Sequence, residues 1–286
     1  MSEAIEFDEK EAAETERSYL TADIVATRAV VMELLAPGPG ERVLDVGSGP
    51  GMLLRDIAGA VGPRGLAAGL DISESMMAIA RHRCRDLDNV EIASGDATAL
   101  PWPDGHFDRA VSTQVYEYVP DLAAAFAELN RVLKPGGRAL IMATDADTIL
   151  FGPAGDAVAA RVHEAWPPHC AHPFLPRELG PLLDAAGFTV ADRKVHVIVN
   201  HRFSPENFGW HVARSLSVYA AKQGAIAKEE GKAWVAGLNE LDARSAFFFS
   251  MNRYLFLANK TTSPDLKRII DGEGFSLPDA RNSSKI

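Results

Sequence analysis

The sequence predicts an α/β domain built on a mainly parallel sheet, and three observations support that prediction. Short apolar runs rich in β-branched residues alternate with segments of helical spacing between residues 42 and 144. A turn with three alternate glycines, in VLDVGSGPG, follows the first apolar run. Two later apolar runs enclose about fifty residues of helical pattern. Repeated strand–helix units of this length place helices on both faces of a parallel sheet.

The predicted elements follow one another in a regular order. In the first half, the predicted strands are 42–46, 65–72, 90–96, 107–114 and 138–144. The predicted helices there are 18–36, 52–61, 73–87 and 121–133, and Ser73 is placed to cap the third of them. Further along the chain, a helix is predicted over 178–188, with strands over 189–200 and 252–260.

The same pattern divides the chain into segments. They are an N-terminal helical cap (1–37), a ligand-binding core (38–145), a lid insert followed by a helix and a strand that complete the sheet (146–200), a helical insert rich in aromatic residues (201–250), the last strand (251–260) and a flexible tail (261–286). We expect the two inserts and the N-terminal helix to form a lid over the sheet.

The composition is that of an ordinary globular protein. The 286 residues are 47% hydrophobic and 24% charged, with a net charge of −10 and a pI near 5.3. An acidic chain without a long Lys/Arg run argues against a general nucleic-acid partner. Two cysteines give no disulfide framework, and the N-terminus lacks a signal-peptide pattern. Because no apolar run approaches the roughly 18 residues that span a bilayer, we expect a cytoplasmic protein without stable membrane insertion.

The glycine-rich turn after the first strand indicates a ligand that lies against the backbone. A dinucleotide fingerprint would need a third glycine three residues after Gly49, but Met52 stands there. Asp45, inside the motif, would repel a pyrophosphate and attract an ammonium group. The turn therefore disfavours NAD and favours a ligand with a cationic group.

Five segments carry a resemblance to a known family. VLDVGSGPG is followed by GLDIS, SGDATALPWPDGHFD, FDRAVSTQVYEYVPD and RVLKPGG. In order and spacing, this series over residues 40–145 resembles the class I S-adenosylmethionine-dependent methyltransferases. It is most similar to their small-molecule branch, the methyltransferase type 11 and quinone-methyltransferase-like proteins. The resemblance implies a Rossmann-like sheet of seven mostly parallel strands, the last one antiparallel, with helical lid inserts and with S-adenosyl-L-methionine as the cofactor.

The resemblance also implies which residues bind this cofactor. Asp45 would lie near the ammonium of its methionine part, and Gly47 and Gly49 would let the backbone pass close to it. Asp71, at the end of the second strand, would accept the ribose hydroxyls. The other cofactor-binding residues implied are Ser48 and Ile72, Asp96 and Ala97 beside the adenine, and Thr113 and Gln114 beside the sulfonium.

Candidate catalytic residues lie where the predicted strands end, because that edge of a parallel sheet binds ligands. Tyr116 and Glu117 follow the fourth strand, and Asp145 follows the fifth. His169 lies in a loop rich in Pro and His and could act as a base over the acceptor. Each of these residues could instead be structural. The histidines near His169 match no common zinc spacing, and Asp145 with Asp147 lacks an evident third magnesium ligand, so no metal is predicted.

The sequence favours methyl transfer to a small metabolite by in-line displacement. An aromatic excess in residues 203–256 suits an apolar or aromatic acceptor. A quinone or isoprenoid C-methyltransferase is an alternative within the same family. Two alternatives from other classes are a non-catalytic regulator that binds the cofactor and a reductase-like nucleotide enzyme. A homodimer is left open.

Overall fold

The computed structural model describes residues 9–262, and the predicted tail lies outside this range from residue 263 onward. The helices are α1 (Glu9–Tyr19), α2 (Ala22–Leu35), α3 (Met52–Val61), α4 (Glu74–Arg83), α5 (Leu122–Val132), α6 (Ala157–Ala165), α7 (Leu179–Ala185), α8 (Phe208–Lys222) and α9 (Lys228–Ala243). The strands are β1 (Arg42–Val46), β2 (Leu66–Asp71), β3 (Val90–Ser94), β4 (Phe107–Thr113), β5 (Leu133–Thr144), β6 (Leu150–Gly152), β7 (Phe188–Asn200) and β8 (Phe248–Lys260).

Local side-chain chemistry fixes several helix ends. Ser73 Oγ accepts the Met76 N–H at the start of α4, as the sequence predicts. Asp121 does the same for the Ala124 N–H at the start of α5, at 2.9 Å. Gly187, with a φ of +81°, turns the chain from α7 into β7. These caps set where the helices begin and end relative to the sheet.

The sheet confirms the predicted fold class. Strands β3, β2, β1, β4 and β5 lie side by side in that order and run parallel. Strand β8 then pairs antiparallel with β5 on one side and with β7 on the other. The three-residue β6 pairs with the start of β8, so the described sheet has eight strands where seven were predicted. The extra strand comes from the lid insert and leaves the order of the others unchanged.

Two hydrophobic layers cover the sheet. On one face, Leu35 of α2 and Leu54 and Ile57 of α3 are fully buried against apolar strand residues. On the other face, Phe126 of α5 and Leu183 of α7 do the same. Each helix buries only one face, which agrees with the helical spacing of its apolar residues. This arrangement leaves the carboxyl ends of the parallel strands for the connecting loops.

The inserts form a third hydrophobic cluster of their own. Helices α6, α8 and α9 pack there with the ends of β7 and β8. The buried aromatic side chains of this cluster are Phe203, Phe208, Trp234, Phe247 and Phe249. Half of the ten aromatic residues in 203–256 therefore fill the interior of the insert. None of the helices within residues 9–262 has both the length and the apolar character needed to cross a membrane.

The structure departs from several of the predicted elements. Strand β5 begins at Leu133 and not at residue 138, and α4 ends at Arg83 and not at residue 87. The helix predicted over 18–36 is interrupted, since α1 ends at Tyr19 and α2 begins at Ala22. At the break, the hydroxyls of Ser18 and Thr21 donate to backbone carbonyls, which competes with helix continuation. The lid insert, for which no helix or strand was predicted before residue 178, contains β6 and α6. The last strand begins at Phe248, earlier than the predicted residues 251 or 252.

Candidate active site

Polar side chains from neighbouring strands meet at the carboxyl edge of the sheet. Asp45 lies near the end of β1, where its neighbours across the sheet are Gly69 of β2 and Val111 of β4. Asp71 ends β2, and Thr144 ends β5. This edge is where parallel α/β sheets bind their ligands.

The glycine turn after β1 is held by close contacts that only glycine permits. The N–H groups of Gly47 and Ser48 both donate to the Leu70 carbonyl, at 2.7 and 2.9 Å. Gly47 has a φ of +72°, and a Cβ on it would lie 2.1 Å from Cγ2 of Val115. The loop after β4 therefore packs directly on the turn, and any side chain at position 47 would push the two apart.

Asp71 binds the glycine turn while remaining accessible. Its Oδ2 accepts the Gly49 N–H at 2.8 Å, and its Oδ1 accepts the Ser73 N–H at 3.0 Å. Burial raises the pKa of Asp71, and these backbone hydrogen bonds oppose that rise. A carboxylate has about four acceptor positions, so Asp71 can accept further hydrogen bonds from a ligand's hydroxyls.

Asp45 is a buried carboxyl group that lacks partners. Its side chain is 1% exposed, and neither oxygen has a hydrogen-bond partner among the residues that the structure describes. Burial, and then the charge of Asp71, raise the pKa of Asp45 to about 8. A cationic group bound beside the glycine turn would satisfy both oxygens and lower this pKa again.

The side chains at the end of β4 border the same region. The hydroxyls of Ser48 and Ser112 are buried and have no hydrogen-bond partner in the described part of the chain. Gln114 has a φ of +61°, and its Oε1 accepts the Thr144 hydroxyl at 2.7 Å. Thr113, which ends β4, is half-buried.

The remaining cofactor-binding predictions lie toward the rim. Asp96 is exposed, and its Oδ1 accepts both the backbone N–H and the hydroxyl of Thr98 at 2.8 Å. Ala97 is buried, and Ile72 is 47% exposed. The half-exposed side chain of Ile72 could cover one face of a bound ring. The cofactor-binding roles of Asp96, Ala97 and Ile72 stay predictions.

Glu117 is the predicted catalytic residue whose carboxylate has one oxygen without a hydrogen-bond partner in the described part of the chain. It is 3% exposed, and its Oε1 accepts the Thr144 N–H at 2.9 Å. Its Oε2 has no hydrogen-bond partner within residues 9–262. Burial raises the pKa of Glu117 to about 7, against the lowering effects of backbone hydrogen bonds, including that from Thr144, and of Arg253. A carboxyl group in this range can take up or release a proton near neutral pH.

The other three predicted catalytic residues make ring contacts or an ion pair, although the buried hydroxyl of Tyr116 has no hydrogen-bond partner among the described residues. The ring of Tyr116 packs on Phe126 in the core, with centroids 4.6 Å apart. Asp145 accepts two hydrogen bonds from Arg177, at 2.6 and 2.8 Å. Within the part of the chain that the structure describes, no three His, Cys, Asp or Glu side chains come together as a metal site.

His169, the third predicted catalytic residue besides Glu117, belongs to a ring cluster. Its centroid lies 4.4 Å from that of Trp166, 4.9 Å from Tyr219 and 5.6 Å from Tyr118. Burial, and then Lys222, lower the pKa of His169. The catalytic roles of Tyr116, Asp145 and His169 stay predictions.

Two residues that the sequence analysis did not select lie at the site. Arg253 of β8 is 5% exposed, and its Nη1 donates to the Thr144 hydroxyl at 2.8 Å. Tyr19, at the end of α1, lies over the glycine turn, since a Cβ on Gly49 would be 4.0 Å from its Cε2. For Arg253, the available signal was an arginine directly before the apolar run YLFLA, since arginine is unusual in a buried strand.

A comparison with protein-family models adds an independent observation. Residues 44–141 match a family model described as "Methyltransferase domain". That range contains the glycine turn, Asp71 and Glu117 within one continuous match. Over this range the chain is similar to methyltransferases. The methyltransferase domain covers β1 to β5, whereas Tyr19 and Arg253 come from outside it.

Individual relatives match the same region. An uncharacterised 37.1 kDa protein in transposon TN4556 of Streptomyces fradiae is 37% identical over 168 residues, which are 57% of this chain and 48% of that protein. A demethylmenaquinone methyltransferase of Staphylococcus carnosus is 36% identical over 122 residues, 43% of this chain and 51% of that one. The matched regions thus span about half the length of these relatives.

A solved structure extends the likeness beyond the methyltransferase domain. The crystal structure of SpnF, described as a [4+2]-cyclase, is 25% identical with a TM-score of 0.54. The match covers 83% of this chain and 81% of that one. The shared fold therefore also supports chemistry other than methyl transfer in at least one relative.

Proposed function

We propose that this protein binds S-adenosylmethionine and transfers its methyl group to a small molecule. The observation that supports this most strongly is Asp45, a buried and unpartnered carboxyl group beside a glycine turn. Such a group is destabilising unless a cation binds to it. The cofactor's methionine part carries an ammonium group, which would meet this need.

The other residues at the edge fit the rest of the cofactor. Asp71 retains acceptor positions for two ribose hydroxyls. The glycine turn exposes backbone at the N-terminus of α3, where polar and anionic groups bind well. Ala97 and Ile72 offer apolar contacts for a ring. S-adenosylmethionine supplies a methyl group on a positively charged sulfur, from which a nucleophile takes it in line.

The chain's own contribution is to position the acceptor and to remove its proton. Glu117 has a free oxygen and a pKa of about 7, so it can accept a proton from a hydroxyl, carboxyl or ammonium group. Tyr19 covers the glycine turn from the N-terminal helices and would help to exclude water. Thr144 of β5 donates its N–H to Glu117, which follows β4, and its hydroxyl accepts from Arg253 of β8. These residues would flank the acceptor.

The demethylmenaquinone methyltransferase relative favours one alternative, in which the acceptor is a quinone or another isoprenoid and the methyl group is added to carbon. The acceptor would then be extracted with lipids. An apolar or aromatic acceptor of another kind stays our first expectation. Because most insert aromatics pack in their own interior, that expectation no longer rests on the whole aromatic cluster.

Replacing Asp71 with asparagine is expected to weaken cofactor binding by about 1–3 kcal/mol. The variant loses a charged acceptor for the ribose and one of the two backbone hydrogen bonds that Asp71 accepts, from Gly49 and from Ser73. The measurement is a calorimetric titration with S-adenosylhomocysteine. Asp88→Asn, which removes an exposed carboxylate before β3, has the same change in charge and is the control. Unchanged affinity in the Asp71 variant would mean that the cofactor is placed wrongly.

Transfer itself is tested with methyl-labelled S-adenosylmethionine and a cell extract split into macromolecules, polar metabolites and organic-soluble metabolites. We expect label in one of the two small-molecule fractions. Label in the organic-soluble fraction would support an apolar acceptor, and the quinone alternative if it resides in a prenylated compound. Label on macromolecules alone would refute the small-molecule proposal. Binding without any transfer would favour a regulator, or a reaction like that of the cyclase relative.

A further inference from the structure

Arg253 is a buried arginine whose guanidinium is only partly satisfied. It is 5% exposed, on a strand in the middle of the sheet. Its Nη1 donates to the Thr144 hydroxyl, while its Nε has no hydrogen-bond partner in the described part of the chain. None of the ion pairs among the described residues includes it. A guanidinium taken out of water normally binds an anion.

Glu117 is near Arg253 but does not neutralise it by direct contact. Thr144 stands between them, because its N–H donates to Glu117 and its hydroxyl accepts from Arg253. The free Oε2 of Glu117 and the free Nε of Arg253 are thus polar atoms held on either side of one residue. The ring of Phe208 lies 5.4 Å from the Cζ of Arg253.

The strand order separates Arg253 from the cofactor residues. Asp45 and Asp71 lie on β1 and β2, whereas Arg253 lies on β8, beyond both β4 and β5. A ligand that spans from β2 to β4 would leave the space over β5 and β8 for a second molecule. Arg253 therefore lies in the part of the edge that the acceptor would occupy.

We propose that Arg253 binds an anionic group, a carboxylate or a phosphate, on the methyl acceptor. This inference rests on the methyltransferase function proposed above and narrows its substrate class. The planar guanidinium suits the two oxygens of such a group. The anion would be a fixed anchor distinct from the nucleophilic atom, which would lie toward Glu117. The acceptor thus combines an apolar body with one anionic end.

The test measures anion binding to the protein saturated with S-adenosylhomocysteine. Inorganic phosphate and benzoate are titrated separately by calorimetry, and the tighter-bound probe indicates which anion the site prefers. We expect saturable binding of one of them at one site per chain. Arg253→Met, which keeps the volume but removes the charge, should weaken it by at least about tenfold. Arg253→Lys should weaken it less, because it keeps the charge and loses only the two-pronged geometry.

Arg193→Met is the matched control, since Arg193 is an exposed arginine on the adjacent strand β7. It should bind the probes like the wild type. Equal loss in both arginine variants, equal binding in wild type and Arg253→Met, or no saturable binding would each overturn the proposal. A matching loss of S-adenosylhomocysteine affinity in Arg253→Met would also overturn it, because the anion would then be the cofactor's own carboxylate. If the wild type binds no S-adenosylhomocysteine, the proposed function itself fails. If the methionine variant is unfolded, the lysine variant and the control decide the outcome.

Discussion

Replacing Asp45 with asparagine is expected to stabilise the ligand-free protein and to weaken its binding of S-adenosylmethionine. At neutral pH, folding requires the wild-type carboxyl group to take up a proton. The reason is that the pKa of Asp45 is raised to about 8 in the folded protein by burial and by Asp71, against roughly 3.9 for an exposed aspartate. An amide needs no proton. Each kcal/mol gained raises Tm by roughly 2–4 °C in a chain near this size.

The sign of the pH dependence follows from the same shift. Below about pH 4 the carboxyl group is protonated in both states, and the variant and the wild type should differ little. As pH rises from about 4 toward 8, the Asp45 carboxyl group ionises in the unfolded state, which lowers the free energy of that state. In the folded state the group stays largely protonated. The free energy of unfolding of the wild type therefore falls relative to that of the variant, and the difference levels off above pH 8. Thermal unfolding across this pH series measures the difference directly.

Cofactor binding should change in the opposite direction. The cofactor's ammonium would lose a charged hydrogen-bond partner, which is worth about 1.5–3 kcal/mol, or roughly a tenfold to hundredfold rise in Kd. In the wild type near pH 7, binding should also release the proton from Asp45. Calorimetry in two buffers of different ionisation enthalpy detects that release, and the variant should lack it. Asp88→Asn is again the control, and tight binding by the Asp45 variant would exclude this carboxylate as the ammonium site.

Much of the fold could be predicted because its signals are local. Strand β1 and helix α3 occupy the predicted ranges 42–46 and 52–61 without a residue's difference. Each is a short run of one periodicity between strong turn residues. The break between α1 and α2 was missed because it depends on the hydroxyls of Ser18 and Thr21, which donate to backbone carbonyls and not to solvent. β6 was missed because three residues form a strand only when a partner strand is present.

The sequence predicted those site residues whose motifs lie at the ends of predicted strands. Asp45, Asp71 and Glu117 lie at the carboxyl edge because their positions follow from parallel strands, whatever their roles prove to be. Arg253 could not be selected in the same way, since its meaning depends on pairing with Thr144 across β5 and β8. The aromatic insert shows the same limit. Sequence alone does not tell a ring that lines a site from one that fills an interior, and Phe247 and Phe249 turn out to be interior.

Replacing Glu117 with glutamine is expected to lower turnover by about 10²–10⁴-fold while leaving cofactor affinity unchanged. The amide oxygen can still accept the Thr144 N–H, so the local structure is kept, but the side chain can no longer take a proton from the acceptor. The wild-type carboxyl group has a pKa of about 7, raised by burial. It is a base only when ionised, so wild-type kcat/KM should rise with pH through about 7 and then level off.

The measurement is label transfer into the acceptor fraction across a pH series, with the glutamine variant and the wild type compared at equal cofactor saturation. The variant should lose the rising limb that belongs to Glu117, and its KM for the acceptor should change far less than its kcat. Glu164→Gln, an exposed position on α6, controls for the change of charge. A glutamine variant that keeps both the wild-type rate and the wild-type pH profile would show that the acceptor loses its proton without Glu117. The nucleophile would then be an atom that needs no base, as expected for an unprotonated amine or an electron-rich carbon whose proton is lost after transfer.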